Sequence, residues 1–205
     1  MELKAAIEAR TSVRNFTETP IPVSDLKEMV RLAACAPSVN NYQPWKFVAI
    51  LNNELMEDMA DVIVRKISQI PSNESKVAQN VKSQVEWYAT FFKNAPAVIA
   101  VCMELYETIL EKGVDLSHDE INKMRNYPDI QSAGAAIQNL LLASVDMGYG
   151  ACWMSAPMIS KSELEVMIGI ENPMQLIAFV AVGEPAHPLK PKEKKAVDEV
   201  FSVIG

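Results

Sequence analysis

The stretch that decides the fold is residues 129–154, DIQSAGAAIQNLLLASVDMGYGACWM. Small and apolar residues recur three and four positions apart in its first part, which predicts a helix from Asp129 to Met147. Because this helix is apolar around most of its girth, we expect it to be buried at the centre of the molecule. Gly148 is suited to end the helix, and GACWM then predicts a strand.

Other apolar segments surround this core. The continuous runs AVIAVCM at 97–103 and QLIAFVAVG at 175–183 predict buried strands, and KFVAIL at 46–51 predicts a further strand. Helices are predicted at 2–10, from an N-cap at Ser24 to Pro37, after Asn53, towards Phe92 and from Ser160 to Ile168. The region 105–128 fits either an excursion that acts as a lid or a plain surface helix.

Length and composition predict one globular domain. The 205 residues are enough to bury a core without a metal or a disulfide, and the 49% of hydrophobic residues argue against disorder. A net charge of −7 argues against a general nucleic-acid binder, which must neutralise phosphates. Cys35, Cys102 and Cys152 have no paired spacing, so we expect reduced, buried thiols and no metal site.

The expected location is the cytoplasm. The opening residues MELKAAIEAR lack the apolar core of a secretory signal peptide. No apolar run approaches the roughly 18 residues that a membrane span requires. We therefore expect no membrane partner.

A phosphorylated cofactor would have to be held by side-chain cations, because neither G-x-G-x-x-G nor a Walker A pattern occurs. Residues 10–16, RTSVRNF, offer such cations. In an extended chain Arg10, Ser12 and Arg14 lie on one side, where they could surround a phosphate. Taken alone, the segment is more typical of a solvated basic helix end, because short charge clusters of this kind are common.

Two further segments carry polar groups suited to a cofactor. Residues 36–45, APSVNNYQPW, form a stiff loop whose amides and aromatic rings suit a flat heterocyclic ring, although turn-forming residues also explain it. Residues 191–195, PKEKK, form a basic run that on its own is typical of a solvated surface.

Together these segments resemble the nitroreductase family of FMN-dependent oxidoreductases over nearly the whole chain. The matching residues are Arg10, Ser12, Arg14 and Phe16, then Pro37, Ser38, Asn41, Gln43, Pro44 and Trp45, and finally Val182, Gly183 and Pro185. The resemblance implies an α+β fold of three layers, with a central, mainly antiparallel sheet flanked by helices. It also implies a single domain spanning 1–205 and an intertwined homodimer, with a C-terminal arm, 184–205, that reaches the partner subunit.

The resemblance also implies which residues bind FMN. They are Arg10, Thr11, Ser12, Arg14, Pro37, Ser38, Val39, Asn41, Trp153, Met154, Ser155, Ala156, Lys192 and Lys194. Within this set the two arm lysines would help hold the phosphate, and Arg14 would stabilise the reduced flavin at its pyrimidine edge. The loop residues would come from the partner subunit, and the backbone near Ser155 would lie beside flavin N5.

The implied activity is hydride transfer from NADH or NADPH through FMN to a nitroaromatic, quinone or similar acceptor, in a ping-pong sequence. No side chain is assigned as a catalytic acid or base, and Cys152 is interpreted as a packing residue. Alternatives are a relative with other flavin chemistry, namely reductive dehalogenation, dehydrogenation or flavin fragmentation, and a non-catalytic FMN-binding protein. An acidic interaction module without a cofactor is a further alternative.

Overall fold

A computed structural model describes residues 1–71, 75–104, 109–190 and 192–205. Parts of the predicted lid region and Pro191 of the predicted arm therefore lie outside the described residues. The helices are α1 (Leu3–Ala9), α2 (Val23–Ala33), α3 (Asn53–Ser68), α4 (Lys76–Thr90), α5 (His118–Met124), α6 (Pro128–Asp146), α7 (Lys161–Met167) and α8 (Val197–Val200). The strands are β1 (Trp45–Ile50), β2 (Ala97–Glu104), β3 (Gly150–Met154) and β4 (Met174–Gly183).

The four strands form one antiparallel sheet in the order β1-β2-β4-β3. The two long apolar strands, β2 and β4, occupy the centre and pair with Ile99 opposite Val180. Their continuous apolar sequences follow from burial on both faces of the sheet. The strands predicted from the apolar runs are confirmed.

Helices cover both faces of this sheet. Alternate residues of β2 point to opposite sides: Val98 and Ala100 pack with α3, whereas Ile99 and Val101 pack with α2 and α6. α6 is buried along most of its length, as its composition predicts. Gly148 follows it with φ +87°. The α+β fold of three layers is thereby confirmed.

Several local predictions are wrong by a residue or more. α2 begins at Val23 after Pro22, not at a Ser24 cap, and it ends before Pro37 is reached. The cap of α3 is Asn52, whose side chain accepts a hydrogen bond from Leu55 N at 3.1 Å. Cys35 is exposed rather than buried, because it lies in the turn just beyond α2.

The region 109–128 contains ordered secondary structure. A short 3₁₀ turn precedes α5, which begins with a capping box formed by Ser117 and Glu120. Tyr127 then adopts the left-handed conformation, with φ 54°, directly before α6. No helix in the described ranges is long and apolar enough to cross a membrane.

Candidate functional site

The basic segment at 10–16 is fixed to the sheet by backbone hydrogen bonds. Ser12 forms a parallel bridge with Ala151 of β3, and Val13 N donates to Ala151 O at 3.1 Å. Further along, Thr17 N donates to Glu184 O at 2.9 Å, just beyond the end of β4. The segment is thus held against the outer edge of β3 and the chain that leaves β4, and we call residues 10–17 the cradle.

Two glycines allow the cradle to approach this closely. A Cβ atom at Gly150 would lie 2.5–3.0 Å from the side-chain atoms of Val13. A Cβ atom at Gly183 would lie 2.7–2.8 Å from atoms of Pro96 and Phe16. The absence of a side chain at Gly150 and Gly183 therefore sets where the cradle lies on the sheet.

The cradle and the start of the C-terminal arm share one cleft of about 230 Å³. Its lining residues are Thr11, Ser12, Val13, Arg14, Asn15, His187, Pro188, Leu189, Lys190 and Lys192. Two basic segments that are about 180 positions apart in the sequence therefore meet in space. Of the two predicted arm lysines, Lys192 lines the cleft, whereas Lys194 lies further along the arm.

The pKa of the Cys152 thiol reflects the positively charged side chains near the cleft. Burial raises the pKa of Cys152, and the charges of Arg14, Lys192 and Arg10 oppose that rise, as does a hydrogen bond with the Ser12 side chain. Because burial dominates, the thiol stays protonated and unreactive near neutral pH. The interpretation of Cys152 as a packing residue agrees with this environment.

Arg14 has an unsatisfied polar group. Its guanidinium carbon lies 5.5 Å from the centre of the Tyr88 ring of α4, within the range of a cation–π contact. Its Nε atom is buried without a hydrogen-bond partner among the described residues. A buried donor of this kind favours an external acceptor in the cleft.

Residues 153–156 form the end of β3 and the turn that follows it, and none of these four predicted residues lines the basic cleft. Met154 is buried, whereas the Trp153 side chain is 45% exposed and reaches over Gly134 of α6, 3.6 Å from the position of a Cβ atom there. Ser155 ends the extended backbone and Ala156 begins a 3₁₀ turn. The backbone therefore changes direction at Ser155, and the predicted role of residues 153–156 toward FMN stays a prediction.

The loop that contains Pro37, Ser38, Val39 and Asn41 does not line this cleft in the described chain. Its shape is fixed internally, since Gln43 N donates to Ser38 Oγ at 2.9 Å. Asn40, Asn41 and Gln43 all have positive φ, between 52° and 54°. Its predicted contribution to a site in the partner subunit stays a prediction.

Among the residues that sequence reasoning missed are His187 and Lys190, which line the cleft, and Tyr88, which contacts Arg14. His187 and Lys190 lie within the predicted arm, so their proximity to the basic run was an available signal. Tyr88 had no such signal, because only the packing of α4 brings it beneath Arg14.

The cleft fits the phosphate-bearing cofactor that the resemblance implies. It offers the cations, hydroxyls and unpaired Arg14 donor that a phosphate and a polar ring edge require. Because side chains supply these donors, a phosphate bound here does not require the backbone nitrogens of a glycine-rich loop, and the sequence contains no such loop.

Comparisons with known proteins identify the family of this chain. A model of the family described as "Nitroreductase family" matches residues 7–184. A BluB-like flavoprotein from Clostridium difficile 630 is 31% identical, with a TM-score of 0.88 and complete coverage of both chains. An Archaeoglobus fulgidus protein described as an NADH dehydrogenase/NAD(P)H nitroreductase is 23% identical over 87% of this chain and 83% of its own.

A third relative represents another activity. The 5,6-dimethylbenzimidazole synthase of Rhodospirillum rubrum is 24% identical over 94% of this chain and 87% of its own. The family match covers far more than half of the chain, and its bounds include the cradle, the loop at 37–45 and the whole sheet. This chain therefore belongs to the nitroreductase family.

Proposed function

We propose that the protein is an FMN-dependent oxidoreductase that passes hydride from NADH or NADPH to a nitroaromatic, quinone or similar acceptor. The observation that carries this proposal is the cleft in which Arg14 and Lys192 meet. Cations from both ends of the chain converge there beside the buried Cys152. Membership of the nitroreductase family supports the choice of FMN as the ligand.

Several residues of the cradle and the cleft have a proposed role toward FMN. Bound FMN would accept a hydride from the nicotinamide and return two electrons to the acceptor. Arg10, Ser12 and Lys192 hold the phosphate and the ribityl chain through charge-assisted hydrogen bonds. Arg14 holds positive charge at the pyrimidine edge, where it stabilises the negative charge that develops on reduction.

The donor and the acceptor use one pocket in turn, which gives ping-pong kinetics. No side chain of the chain is required to act as an acid or a base. Trp153 and the backbone at Ser155 flank the ring and position it, and Lys194 adds positive charge from the arm.

We further propose a homodimer in which the C-terminal arm binds the partner subunit. The arm exposes Val197, Val200, Phe201, Val203 and Ile204, each 64–99% accessible in the single chain. Leu3 and Ile7 of α1 are exposed as well, although helical spacing places them on one face with the buried Ala6. Large exposed apolar surfaces of this kind are typical of protein interfaces.

The three thiols are all free, as expected in a reducing compartment. This supports a cytoplasmic location as part of the proposal. Fractionation of cells, followed by detection of the protein, tests it.

The test of the function is the visible absorption spectrum of the purified protein before and after addition of NADH or NADPH without oxygen. A flavin spectrum that bleaches, and returns when a quinone or nitroaromatic compound is added, is the expected result. A flavin spectrum that neither nicotinamide bleaches would indicate a non-catalytic FMN-binding protein. A protein that takes up no FMN would contradict the proposal.

Flavin fragmentation is a second candidate, and the likeness to the 5,6-dimethylbenzimidazole synthase favours it. The dimethyl-substituted benzene ring in the name of that product is also part of the flavin ring system. The two candidates differ in what happens to FMN when the reduced protein meets oxygen. Mass spectrometry after repeated cycles distinguishes them, because an oxidoreductase returns intact FMN whereas fragmentation consumes it.

A further inference from the structure

A second polar cavity lies at the opposite end of the sheet from the basic cleft. It has a volume of about 190 Å³ and is lined by Met103, Glu104, Asp119, Asn122, Tyr127, Asp129, Ile130, Gln175 and Ile177. Gln175 precedes Gly183 by eight residues along β4, which corresponds to roughly 26 Å of extended strand. The cavity is therefore separate from the cleft at the cradle of the same chain, and the inference does not rest on the proposed function.

The floor of this cavity has two buried acceptors without donors. Asn122 and Asp129 are only 7% and 6% exposed, yet Asn122 Oδ1 and Asp129 Oδ1 have no hydrogen-bond partner among the described residues. Native proteins satisfy nearly all buried polar atoms, with protein groups, water or a ligand. Two lining residues that each carry an unsatisfied buried oxygen favour a hydrogen-bond donor in this cavity.

A hydrogen-bonded chain fixes the orientation of these oxygens. Asn122 Nδ2 donates to Asp129 Oδ2 at 3.1 Å and lies 2.7 Å from Nε2 of His118. Nδ1 of His118 lies 3.0 Å from Oε1 of Glu111, to which it can donate. Because the carboxylate must accept, the amide nitrogen of Asn122 faces Asp129, and the amide oxygen is left without a partner among the described residues.

The charges of the residues that line this cavity indicate which type of hydrogen-bond donor it would bind. Glu104, Asp119 and Asp129 contribute three carboxylates, and none of the described lining residues is basic. The described His, Cys, Asp and Glu side chains do not form a group of three that could hold a metal ion. The half-exposed side chains of Tyr127 and Ile130 add apolar surface. A positive charge attached to an apolar body fits this combination best, and the Tyr127 ring can also contact the cation.

We propose that this cavity binds a small organic ammonium compound, whose charged group donates to Asn122 Oδ1 and Asp129 Oδ1. Its compact apolar part lies against Tyr127 and Ile130. The site goes beyond the proposed oxidoreductase function, because it requires neither FMN nor a nicotinamide. The proposal uses four residues. Asn122 lies near the end of α5 and Tyr127 directly before α6, while Asp129 and Ile130 lie in the first turn of α6.

The test is a calorimetric titration of the purified protein with benzylammonium, and with benzyl alcohol as a neutral probe of similar shape. We expect saturable binding of benzylammonium and at least about tenfold weaker binding of benzyl alcohol, since a charge-assisted hydrogen bond is lost. Asp129→Asn should weaken benzylammonium binding by about tenfold or more. Asp115→Asn, an exposed carboxylate of the same region outside the cavity lining, should leave binding unchanged.

Equal binding of the two probes, or no binding of benzylammonium, would overturn the proposal and leave water as the occupant. Unchanged affinity in a folded Asp129→Asn variant would overturn it as well. If that variant does not fold, Glu104→Gln decides the matter, because it keeps the shape of a less buried lining residue. Several-fold weaker binding in Glu104→Gln supports the site, and full affinity there contradicts it.

Discussion

The cradle at 10–17 and the C-terminal arm meet in one cleft but are held in opposite ways. The cradle lies on the outer edge of β3, with backbone hydrogen bonds to Ala151 and Glu184 and close contacts at Gly150. The arm beyond Lys192 has only a single turn of helix, α8, and exposes its apolar side chains. One half of the proposed cofactor site is therefore fixed within a single chain, whereas the other half depends on what covers the arm.

The largest expected effect comes from removal of the arm. Deletion of residues 191–205 should convert the proposed dimer to monomers and cause loss of most FMN, because it removes the exposed apolar residues together with Lys192. The free energy of unfolding of the monomer should change little, since those side chains are exposed in the single chain. Light scattering after size-exclusion chromatography, with the flavin absorbance, measures both effects.

A matched variant separates the two contributions of the arm. Lys192→Ala should lower FMN affinity while the protein stays dimeric. A truncated protein that remains dimeric and fully yellow would show that the arm has no role in either property.

The next largest effect is expected for Gly150→Ala, which displaces the cradle from β3. The added methyl group would overlap the Val13 side chain, so we expect a loss of about 1–3 kcal/mol in the free energy of unfolding. FMN affinity should fall as well, because Ser12 and Arg14 flank the displaced residue. Urea unfolding and fluorescence titration with FMN provide the two measurements.

Gly148→Ala is the control for this change. Gly148 has φ +87° but open space around its Cβ position, so alanine there should cost about 1 kcal/mol in backbone strain alone. FMN affinity should then be unaffected. Equal loss of FMN in the two variants would mean that the position of the cradle does not control the site.

An effect confined to cofactor binding is expected when one cation of the cradle is removed. Arg10→Ala should weaken FMN binding by about 10- to 150-fold, the equivalent of roughly 1.5–3 kcal/mol for a hydrogen bond to a charged group. The control is Arg31→Ala on the exposed face of α2, where the guanidinium pairs with Glu28 at 2.7 Å. FMN affinity that is the same in both variants would remove Arg10 from the site.

The smallest expected effect concerns the support behind the cradle. Tyr149, just before β3, donates to Asp25 Oδ2 of α2 at 2.7 Å, and this bond, with burial and the charge of Asp25, raises the pKa of Tyr149 to about 12. A raised pKa means that the contribution to stability is complete below the unfolded value of about 10 and is lost as the pH rises through about 12.

Tyr149→Phe should therefore lower the free energy of unfolding by about 1 kcal/mol near neutral pH, after allowance for partial exposure. The difference from the wild type should shrink above about pH 10. Urea unfolding across this pH range measures it. A difference that stays constant up to pH values where the tyrosine ionises would assign the effect to packing instead of the hydrogen bond.

Much of the fold could be predicted from the sequence because the decisive segments are local. β2 and β4 are continuous apolar runs, and α6 is apolar on most sides, so their type follows from composition and spacing. The start of α2 was harder to predict from the sequence, since Pro22 and Ser24 are both acceptable near a helix N-terminus. The exposure of Cys35 likewise depends on how the chain turns after α2.

The sequence by itself determined the family, the sheet-forming runs and the basic segments that we propose bind a phosphate, because each is a pattern of neighbouring residues. Tertiary structure alone decided that Arg14 lies on Tyr88, that Lys190 and His187 join the cleft, and that Gly150 must lack a side chain. It also decided that Asn122 of α5 contacts Asp129 of α6 and that each of them keeps one unsatisfied oxygen. These contacts join residues far apart in the chain, and their geometry depends on how the helices pack on the sheet rather than on any local pattern.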